Sequence, residues 1–262
     1  LDQSVWVQLW IYMTKLAQFD FGWSYVYELP VRDVLISRLV PTLLLMVSSL
    51  SIAFIFGIAL GAFAARRAYS FTDNAISTLG LICYAMPSFF LSLILMFVFS
   101  VKLGWLPVGG YKTIAGFYTG WKNVWDITVH LVMPTTALSL IYVAFYMRLM
   151  RTSVLEVESL DYVRTARAKG ASNARVMFHH IMRNAFLPVV TLLGLQFSTV
   201  LGGSVVIETI FSLPGLGQLA YTSVIKRDLN TLMGIIFLCS VLVVIVNFIT
   251  DLIYARLDSR IE

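Results

Sequence analysis

The side chains that could act as nucleophiles or metal ligands are few in this sequence, and they are scattered. Catalysis or metal binding needs several such groups to converge on one point. Cys83 and Cys239 each lie within an apolar run, which favours a small buried hydrophobic side chain. His179 and His180 are adjacent and face different sides of a helix, and His130 lies near the end of an apolar run. The sequence therefore predicts no metal site and no catalysis by this chain alone.

Glycine-rich motifs that would hold a catalytic nucleophile or a phosphate group are also missing from the sequence. The run Gly202-Gly203-Ser204 lacks the glycine that follows the serine in a nucleophile turn. The sequence also contains no Walker-type phosphate loop, which excludes ATP hydrolysis by that route. We therefore expect this chain to bind no cofactor.

Uncharged polar side chains enter the apolar runs, and three of them lie close together in the sequence. These are Gln196, Ser198 and Thr199. Side chains of this kind either hydrogen-bond between membrane helices or line a hydrated path. The three are our candidates for a translocation path, and helix–helix hydrogen bonding remains the alternative.

The elements that must position these residues are membrane helices. Hydrophobic residues make up 59% of the 262 positions and charged residues 13%, with a mean hydropathy of +0.84. A soluble domain carries roughly a quarter charged residues. The sequence therefore predicts an all-α polytopic membrane protein. Its five spans are the runs without Asp, Glu, Lys or Arg, each long enough to cross a bilayer as a helix: residues 39–65, 74–101, 127–147, 184–207 and 229–250.

Lys and Arg are unevenly distributed between the two sets of loops. Segments 66–73, 148–183 and 251–262 hold 11 of the 19 basic residues in 56 positions. The other set has only 8 basic residues in 84 positions. Because loops rich in Lys and Arg stay in the cytoplasm, the first set and the C-terminus are predicted to be cytoplasmic.

Five spans place the beginning of the sequence on the outer side as an external segment, residues 1–38. This segment starts at Leu1 and shows no signal-peptide pattern. Residues 5–19 are predicted to form an amphipathic helix that is too polar to span. We expect a further transmembrane helix before Leu1 in the native protein.

The loop 148–183 is predicted to fold into short helices. Ser159 or Asp161 could cap the first helix, and Gly170 would end it. Ser172 or Asn173 could cap the second. A solvated basic helix at the membrane surface is the alternative reading of this loop.

Residues 161–170 resemble the Glu-Ala-Ala loop of binding-protein-dependent ABC importer permeases. The resemblance is strongest to the B-type branch of the dipeptide/oligopeptide/nickel permease family, and it covers nearly the whole chain. Its specificity comes from the order and spacing of many short motifs, at residues 20–24, 38–42, 87–89, 105–107, 161–170, 180, 183–185, 187–188, 202–203, 208–211, 214–217, 227–228, 251–254 and 258–261.

Three features depart from importer patterns. Arg164, Thr165 and Ala166 occupy the Glu-Ala-Ala positions, so the leading Glu is absent. The Leu187-Pro188 pair falls later than in sugar permeases, and both of these traits are usual for the peptide branch. Ser259 stands where the family pattern has Pro.

The resemblance implies a type I ABC importer transmembrane domain, with six helices in the intact subunit. It also implies a prokaryotic inner membrane and several partners besides the lipid bilayer. These partners are a second homologous permease subunit, two ATP-binding subunits that hold ATP and Mg, and an extracytoplasmic substrate-binding protein. No nucleic acid is expected.

By the same resemblance, the loop 148–183 is a coupling loop that contacts an ATPase, and the cargo is a di- or oligopeptide or a peptide-like solute moved by alternating access. Nickel or a metal chelate is the alternative cargo. A polytopic membrane enzyme and a scaffold subunit are the competing classes of protein. The residues to which the resemblance assigns coupling are Asp161, Tyr162, Arg164, Thr165, Ala166, Arg167 and Gly170.

Overall fold

The computed structural model describes residues 4–257, apart from the side chains of residues 17, 198, 203 and 253–257. The chain is helical over most of this range, with one very short hairpin. In order along the chain, the elements are α1 (Val5–Ala17), β1 (Trp23–Ser24), β2 (Leu29–Pro30), α2 (Val31–Arg66), α3 (Phe71–Ala85), α4 (Ser88–Leu95), a π-helical segment (Met96–Lys102), a 3₁₀ turn (Ile114–Gly116), α5 (Trp121–Glu158), α6 (Asp161–Ala168), α7 (Asn173–Arg175), a second π-helical segment (Val176–Ile181), α8 (Met182–Ile210), α9 (Leu216–Ile225) and α10 (Leu229–Leu257).

Four helices in the described range are long and apolar enough to cross a bilayer. The predicted runs 39–65, 127–147 and 229–250 lie inside α2, α5 and α10, and the run 184–207 lies inside α8. Each helix continues beyond its run, because a charged residue ends the apolar stretch without ending the helix. The membrane-length helices are Val31–Arg66 in α2, Trp121–Glu158 in α5 and Leu229–Leu252 in α10. The fourth, Asn173–Phe197, combines α7, the second π-helical segment and the first part of α8.

The remaining predicted run, 74–101, is not one straight helix. The chain bends by 102° between Phe71–Ala85 and Ser88–Lys102. The bend occurs at Met86, whose ψ of 130° is extended, as is usual for a residue that precedes proline. Pro87 lacks the N–H that would continue the helix. The predicted span 74–101 is therefore present as a bent pair of helices.

Helices α2 and α5 pack closely through two small residues of α2. A Cβ atom added to Gly57 would lie 2.6 Å from the Cβ of Tyr146, and one added to Gly61 would lie 2.8 Å from the Cβ of Met150. Any larger side chain would push the helices apart. The Gly-x-x-x-Gly spacing therefore sets the contact between these two membrane helices.

The loop 148–183 shares its hydrophobic core with the long helices. Val163 of α6 and Val176 of the second π-helical segment are buried in one cluster with Ala53 of α2, Tyr146 of α5 and Ala185 of α8. Fully burying a side chain the size of valine contributes about 1.5–3 kcal/mol. The loop is thus packed against the membrane helices rather than suspended as a linker.

At the opposite end of α2, short elements pack around its first turns. β1 pairs with β2 in antiparallel register, Trp23 opposite Pro30 and Ser24 opposite Leu29. The following helix α2 and the helices α9 and α10 share a second buried cluster that includes Val31, Leu219 and Ile235. The predicted helix over residues 5–19 is present as α1.

Candidate functional site

The short helix predicted at Asp161 is present as α6, but its beginning differs from the prediction. The residue before the helix is Leu160, and no side chain caps the helix there. The Ser159 hydroxyl instead donates to the carbonyl of Glu156, at 2.7 Å, in the last turn of α5. Capping by Ser159 or Asp161 is therefore wrong, since Asp161 is itself the first helical residue. The next predicted cap is confirmed at Ser172, whose hydroxyl accepts from the Arg175 N–H at 3.4 Å.

The end of α6 is confirmed at Gly170, which has a φ of +83°. The Gly170 N–H donates to the Arg167 carbonyl at 3.0 Å, and the Ala171 N–H donates to the Ala166 carbonyl at 3.2 Å. These two hydrogen bonds form a Schellman motif, which satisfies carbonyl groups left open at a helix end. The left-handed conformation of Gly170 is needed to close both.

Two side chains of α6 attach it to the helices on either side. Arg167 forms an ion pair with Glu158 at the end of α5. The Tyr162 hydroxyl accepts from the Asn184 side-chain amide of α8 at 2.8 Å and donates to the His180 carbonyl at 3.3 Å. Together with the buried Val163, these contacts link α6 to both α5 and α8. The guanidinium of Arg167 is thus engaged within this chain.

Of the remaining predicted coupling residues, Asp161, Arg164, Thr165 and Gly170 are exposed to solvent, whereas Ala166 is half-buried against the core. Arg164 and Asp161 lie 3.6 Å apart, with 72% and 98% of their side chains exposed. An ion pair this exposed contributes little stability. The Thr165 hydroxyl donates to the Asp161 carbonyl within the helix, at 2.9 Å. The outer surface of α6 therefore presents polar groups that the fold itself does not require.

The structure brings together two of the three residues predicted to line a path. The Thr199 hydroxyl donates to the side-chain oxygen of Gln196 at 2.7 Å. Gln196 is half-buried, whereas Thr199 is exposed. The Ser198 side chain lies outside the described residues, as do residues 258–261 of the last sequence motif.

Glu208 at the end of α8 is a buried carboxylate, although it lies one residue beyond the charge-free run 184–207 predicted to span the membrane. Only 1% of it is exposed. It accepts from the Thr42 hydroxyl at 2.7 Å and from the Gln218 N–H at 2.9 Å, and the Thr42 hydroxyl accepts from the Leu216 N–H at 2.7 Å. Glu208 and Thr42 thus cap the beginning of α9 from two other helices. The signal in the sequence is an acidic residue placed shortly before a Pro-Gly turn.

Asp73 and Arg151 form a second buried charged group that the sequence analysis placed in two separate loops. The guanidinium binds the carboxylate through two hydrogen bonds, of 2.6 and 2.7 Å. Only 1% of the Asp73 side chain and 24% of the Arg151 side chain are exposed. A further bond of 2.8 Å from the Tyr69 N–H fixes the carboxylate. The pair joins the beginning of α3 to α5.

Outside the membrane-length helices, Asp228 ties the hairpin to the beginning of α10. Its carboxylate accepts hydrogen bonds from the hydroxyls of Ser24 and Thr231. Burial alone would raise the pKa of Asp228, but these hydrogen bonds together hold its pKa below the usual value for an aspartate. The carboxylate is therefore charged and satisfied at neutral pH.

The chain is a mostly helical protein with membrane-length helices and a folded loop packed on their ends. Its fold matches a chain of the MetNI methionine ABC transporter in an inward-facing conformation, with a TM-score of 0.66 at 18% identity over 86% of this chain and 96% of that one. It also matches an amino acid ABC transporter crystallised with histidines, with a TM-score of 0.62 at 18% identity over 86% and 94%. The fold is that of an ABC importer transmembrane domain.

The sequence matches the family described as binding-protein-dependent transport system inner membrane component over residues 57–262, and the chain belongs to that family. It is 41% identical to the oligopeptide transport system permease protein AppB of Bacillus subtilis (strain 168), over 100% of this chain and 82% of the relative. It is 39% identical to the glutathione transport system permease protein GsiC of Salmonella typhimurium (strain LT2), over 100% and 81%.

Family membership defines the general role of the chain. It is a multi-pass permease subunit of the bacterial inner membrane, and its function is transport. Such a permease implies ATPase subunits and a binding protein as partners. The resemblance drawn from the sequence motifs is therefore confirmed.

Proposed function

We propose that this permease moves di- or oligopeptides, or peptide-like solutes, into the cytoplasm. The proposal is supported by relatives that cover the whole chain, one a permease of an oligopeptide transport system and another a permease of a glutathione transport system. Glutathione is itself a small peptide. Nickel or a metal chelate is the competing cargo.

The coupling element is α6, which sits in a groove of one ATP-binding subunit on the cytoplasmic side. The observation that carries this assignment is the attachment of α6 to two membrane helices, through Arg167 and Glu158 on α5 and through Tyr162 and Asn184 on α8. A movement imposed on α6 therefore displaces α5 and α8 together. Asp161, Arg164 and Thr165 are the outward groups, and Ala166 and Gly170 shape the helix end.

The transport cycle is alternating access. ATP binding closes the two ATP-binding subunits, which hold ATP and Mg, and the closure pulls α6 of this subunit and the corresponding helix of a second homologous permease. The cavity between the two permeases then opens outward, towards the extracytoplasmic binding protein. ATP can shift this equilibrium only through its different affinity for the two states, so the link through α6 must be stiff.

The path runs beside Gln196, Ser198 and Thr199 on α8. The contact between Gln196 and Thr199 supports this position, because it leaves polar oxygen atoms grouped on a membrane helix. The predicted cytoplasmic position of the C-terminus and of the loop 148–183 belongs to the same proposal, and so does an external position for residues 1–38.

Reconstituted transport tests the cargo. The complete complex, with both permeases, the ATP-binding subunits and the binding protein, is placed in proteoliposomes, and uptake is measured for a panel of peptides and for nickel as free ion and as chelate. We expect uptake and ATP hydrolysis to be stimulated when the binding protein is loaded with peptide. Stimulation by a metal chelate alone, across a broad panel of peptides, would contradict the proposed cargo.

A further inference from the structure

A cleft of about 440 Å³ lies between α6 and the second π-helical segment. Three of its lining side chains are basic: Lys169, Arg175 and His180. Within the part of the chain that the structure describes, no acidic side chain lines this cleft. The cleft is therefore a concave basic surface next to the proposed coupling helix.

The polar groups of the cleft fall into two sets. The hydroxyls of Tyr162 and Thr165 are engaged within the chain, through Asn184, the His180 carbonyl and the Asp161 carbonyl. By contrast, the side chains of Lys169 and Arg175 are exposed, and among the ion pairs of residues 4–257 neither has a carboxylate partner. Within residues 4–257, their positive charges therefore have no compensating carboxylate.

We propose that the cleft receives an acidic side chain, Asp or Glu, from the ATP-binding subunit. This inference rests on the proposed function, and it gives the coupling contact a specific chemistry. A guanidinium and an ammonium on adjoining walls can hold one carboxylate from two sides, and hydrogen bonds between charged groups are the stronger kind. Complementary charges at an interface also fix which partner binds and in which register.

The structure favours a protein carboxylate over an anionic lipid headgroup. A helix that lies on a membrane needs an exposed apolar face that can enter the bilayer. The apolar side chain of α6 at its centre, Val163, is fully buried in the core of the permease itself. Most of the side chains that α6 exposes are polar or charged, among them Asp161, Arg164 and Thr165.

Zero-length crosslinking of the assembled complex identifies the occupant. A carbodiimide activates a carboxylate, which the amine of Lys169 then attacks to form an amide only if the two groups touch. We expect peptide mapping to find Lys169 joined to one Asp or Glu of the ATP-binding subunit. The matched control is Lys169→Arg, which keeps the charge, lacks the reactive amine and must lose this one crosslink. An intact complex in which Lys169 joins no carboxylate of that subunit would overturn the proposal.

Charge reversal supplies a second readout. In Lys169→Glu with Arg175→Glu, we expect the permease to retain the ATP-binding subunits at least tenfold less well during purification, and a Lys at the crosslinked acidic position should restore binding. Arg67→Glu is the control, since Arg67 is an exposed basic residue in the segment 66–73, away from this cleft.

Equal retention in the reversed variant and the control would overturn the proposal. If the purified complex is reconstituted in liposomes and the variant loses ATP-binding subunits only when these contain anionic lipid, the proposal is overturned as well. These outcomes are distinguishable from failure of the proposed cargo. A wild-type complex that imports peptides while the reversed variant assembles normally contradicts the cleft proposal alone. A complex that forms the Lys169 crosslink without importing peptides contradicts the cargo alone.

Discussion

Gly170 is the residue on which the end of the proposed coupling helix depends. Its φ of +83° lies in the left-handed region, where a β-branched residue is strongly disfavoured. In Gly170→Val, the left-handed conformation would cost about 1–2 kcal/mol. We predict that this strain opens the Schellman motif and displaces the end of α6. The expected result is an assembled complex in which loaded binding protein no longer stimulates ATP hydrolysis, and in which uptake is lost.

The matched control for this substitution is Gly170→Asn, because asparagine tolerates the left-handed conformation better than other non-glycine residues. Among the described residues other than its chain neighbours, no atom lies within 4 Å of a Cβ added at this position, so the two variants differ in backbone strain rather than in crowding. Normal stimulation and uptake in Gly170→Val would contradict the assignment.

The Asp73–Arg151 pair is a second single-residue test, and it concerns stability. Removing one partner of a buried ion pair leaves an uncompensated charge, whereas removing both is far less damaging. We predict that Asp73→Asn destabilises the permease by up to about 3 kcal/mol and that Asp73→Asn with Arg151→Gln recovers part of the loss. Thermal unfolding midpoints of the purified complex would rank the variants.

The exposed pair Arg32–Asp33 provides the control for that ranking. Its side chains are 64% and 50% exposed, so Asp33→Asn should leave the midpoint nearly unchanged. A midpoint for Asp73→Asn that equals that of Asp33→Asn would show that the buried pair does not hold α3 on α5.

Among the elements, α9 is held at its beginning by the side chains of Glu208 and Thr42. Replacing Glu208 by Ala leaves the Gln218 N–H without its acceptor, and a buried donor left unsatisfied costs about 1–3 kcal/mol. We predict faster amide hydrogen exchange, measured by mass spectrometry, that is confined to Leu216–Ile225 and its contacts. The control is Thr209→Ala, because among the described residues the exposed Thr209 hydroxyl donates only to the Val205 carbonyl of its own helix. Unchanged exchange in Glu208→Ala would refute the capping role.

The elements also show where sequence reasoning succeeded and where it failed. Charge-free runs located the apolar part of each long helix, because moving charge out of water is the dominant cost in a membrane. The same rule places every charged residue in a loop, so it did not predict the burial of Asp73, Arg151 and Glu208. In a linear sequence, a charge that is buried and paired cannot be distinguished from one in a loop. Pairing across the fold, such as Glu208 with Thr42, is not visible from local spacing.

The size of the bend at Met86 and the uncapped beginning of α6 could not be predicted from the sequence for a different reason. A proline at position 87 disfavours a continuous helix, but the size of the bend, 102°, depends on the helices that pack against each half. At Ser159, a local hydrogen bond to the preceding turn competes with capping, and the choice between the two is set by the path of the chain.

At the scale of the whole molecule, one continuous core joins α6 to the helices that cross the membrane. Val163 packs with residues of α2, α5 and α8, and α2 and α5 approach closely at Gly57 and Gly61. Well-packed interiors transmit strain because they are nearly incompressible. The order of motifs along the sequence predicted the family, while the role of Arg167 as an attachment to Glu158 emerged only from the three-dimensional arrangement.

The most direct test of the central claim, that α6 transmits the ATPase movement to the membrane helices, is the number of peptides imported per ATP hydrolysed. The measurement compares the wild-type complex in proteoliposomes with Arg167→Glu, which breaks the attachment of α6 to α5, and with the swapped pair Glu158→Arg and Arg167→Glu, which restores opposite charges at the same two positions. We predict that Arg167→Glu still hydrolyses ATP but imports several-fold fewer peptides per ATP, and that the swapped pair recovers most of the ratio. An unchanged ratio in Arg167→Glu would contradict the claim.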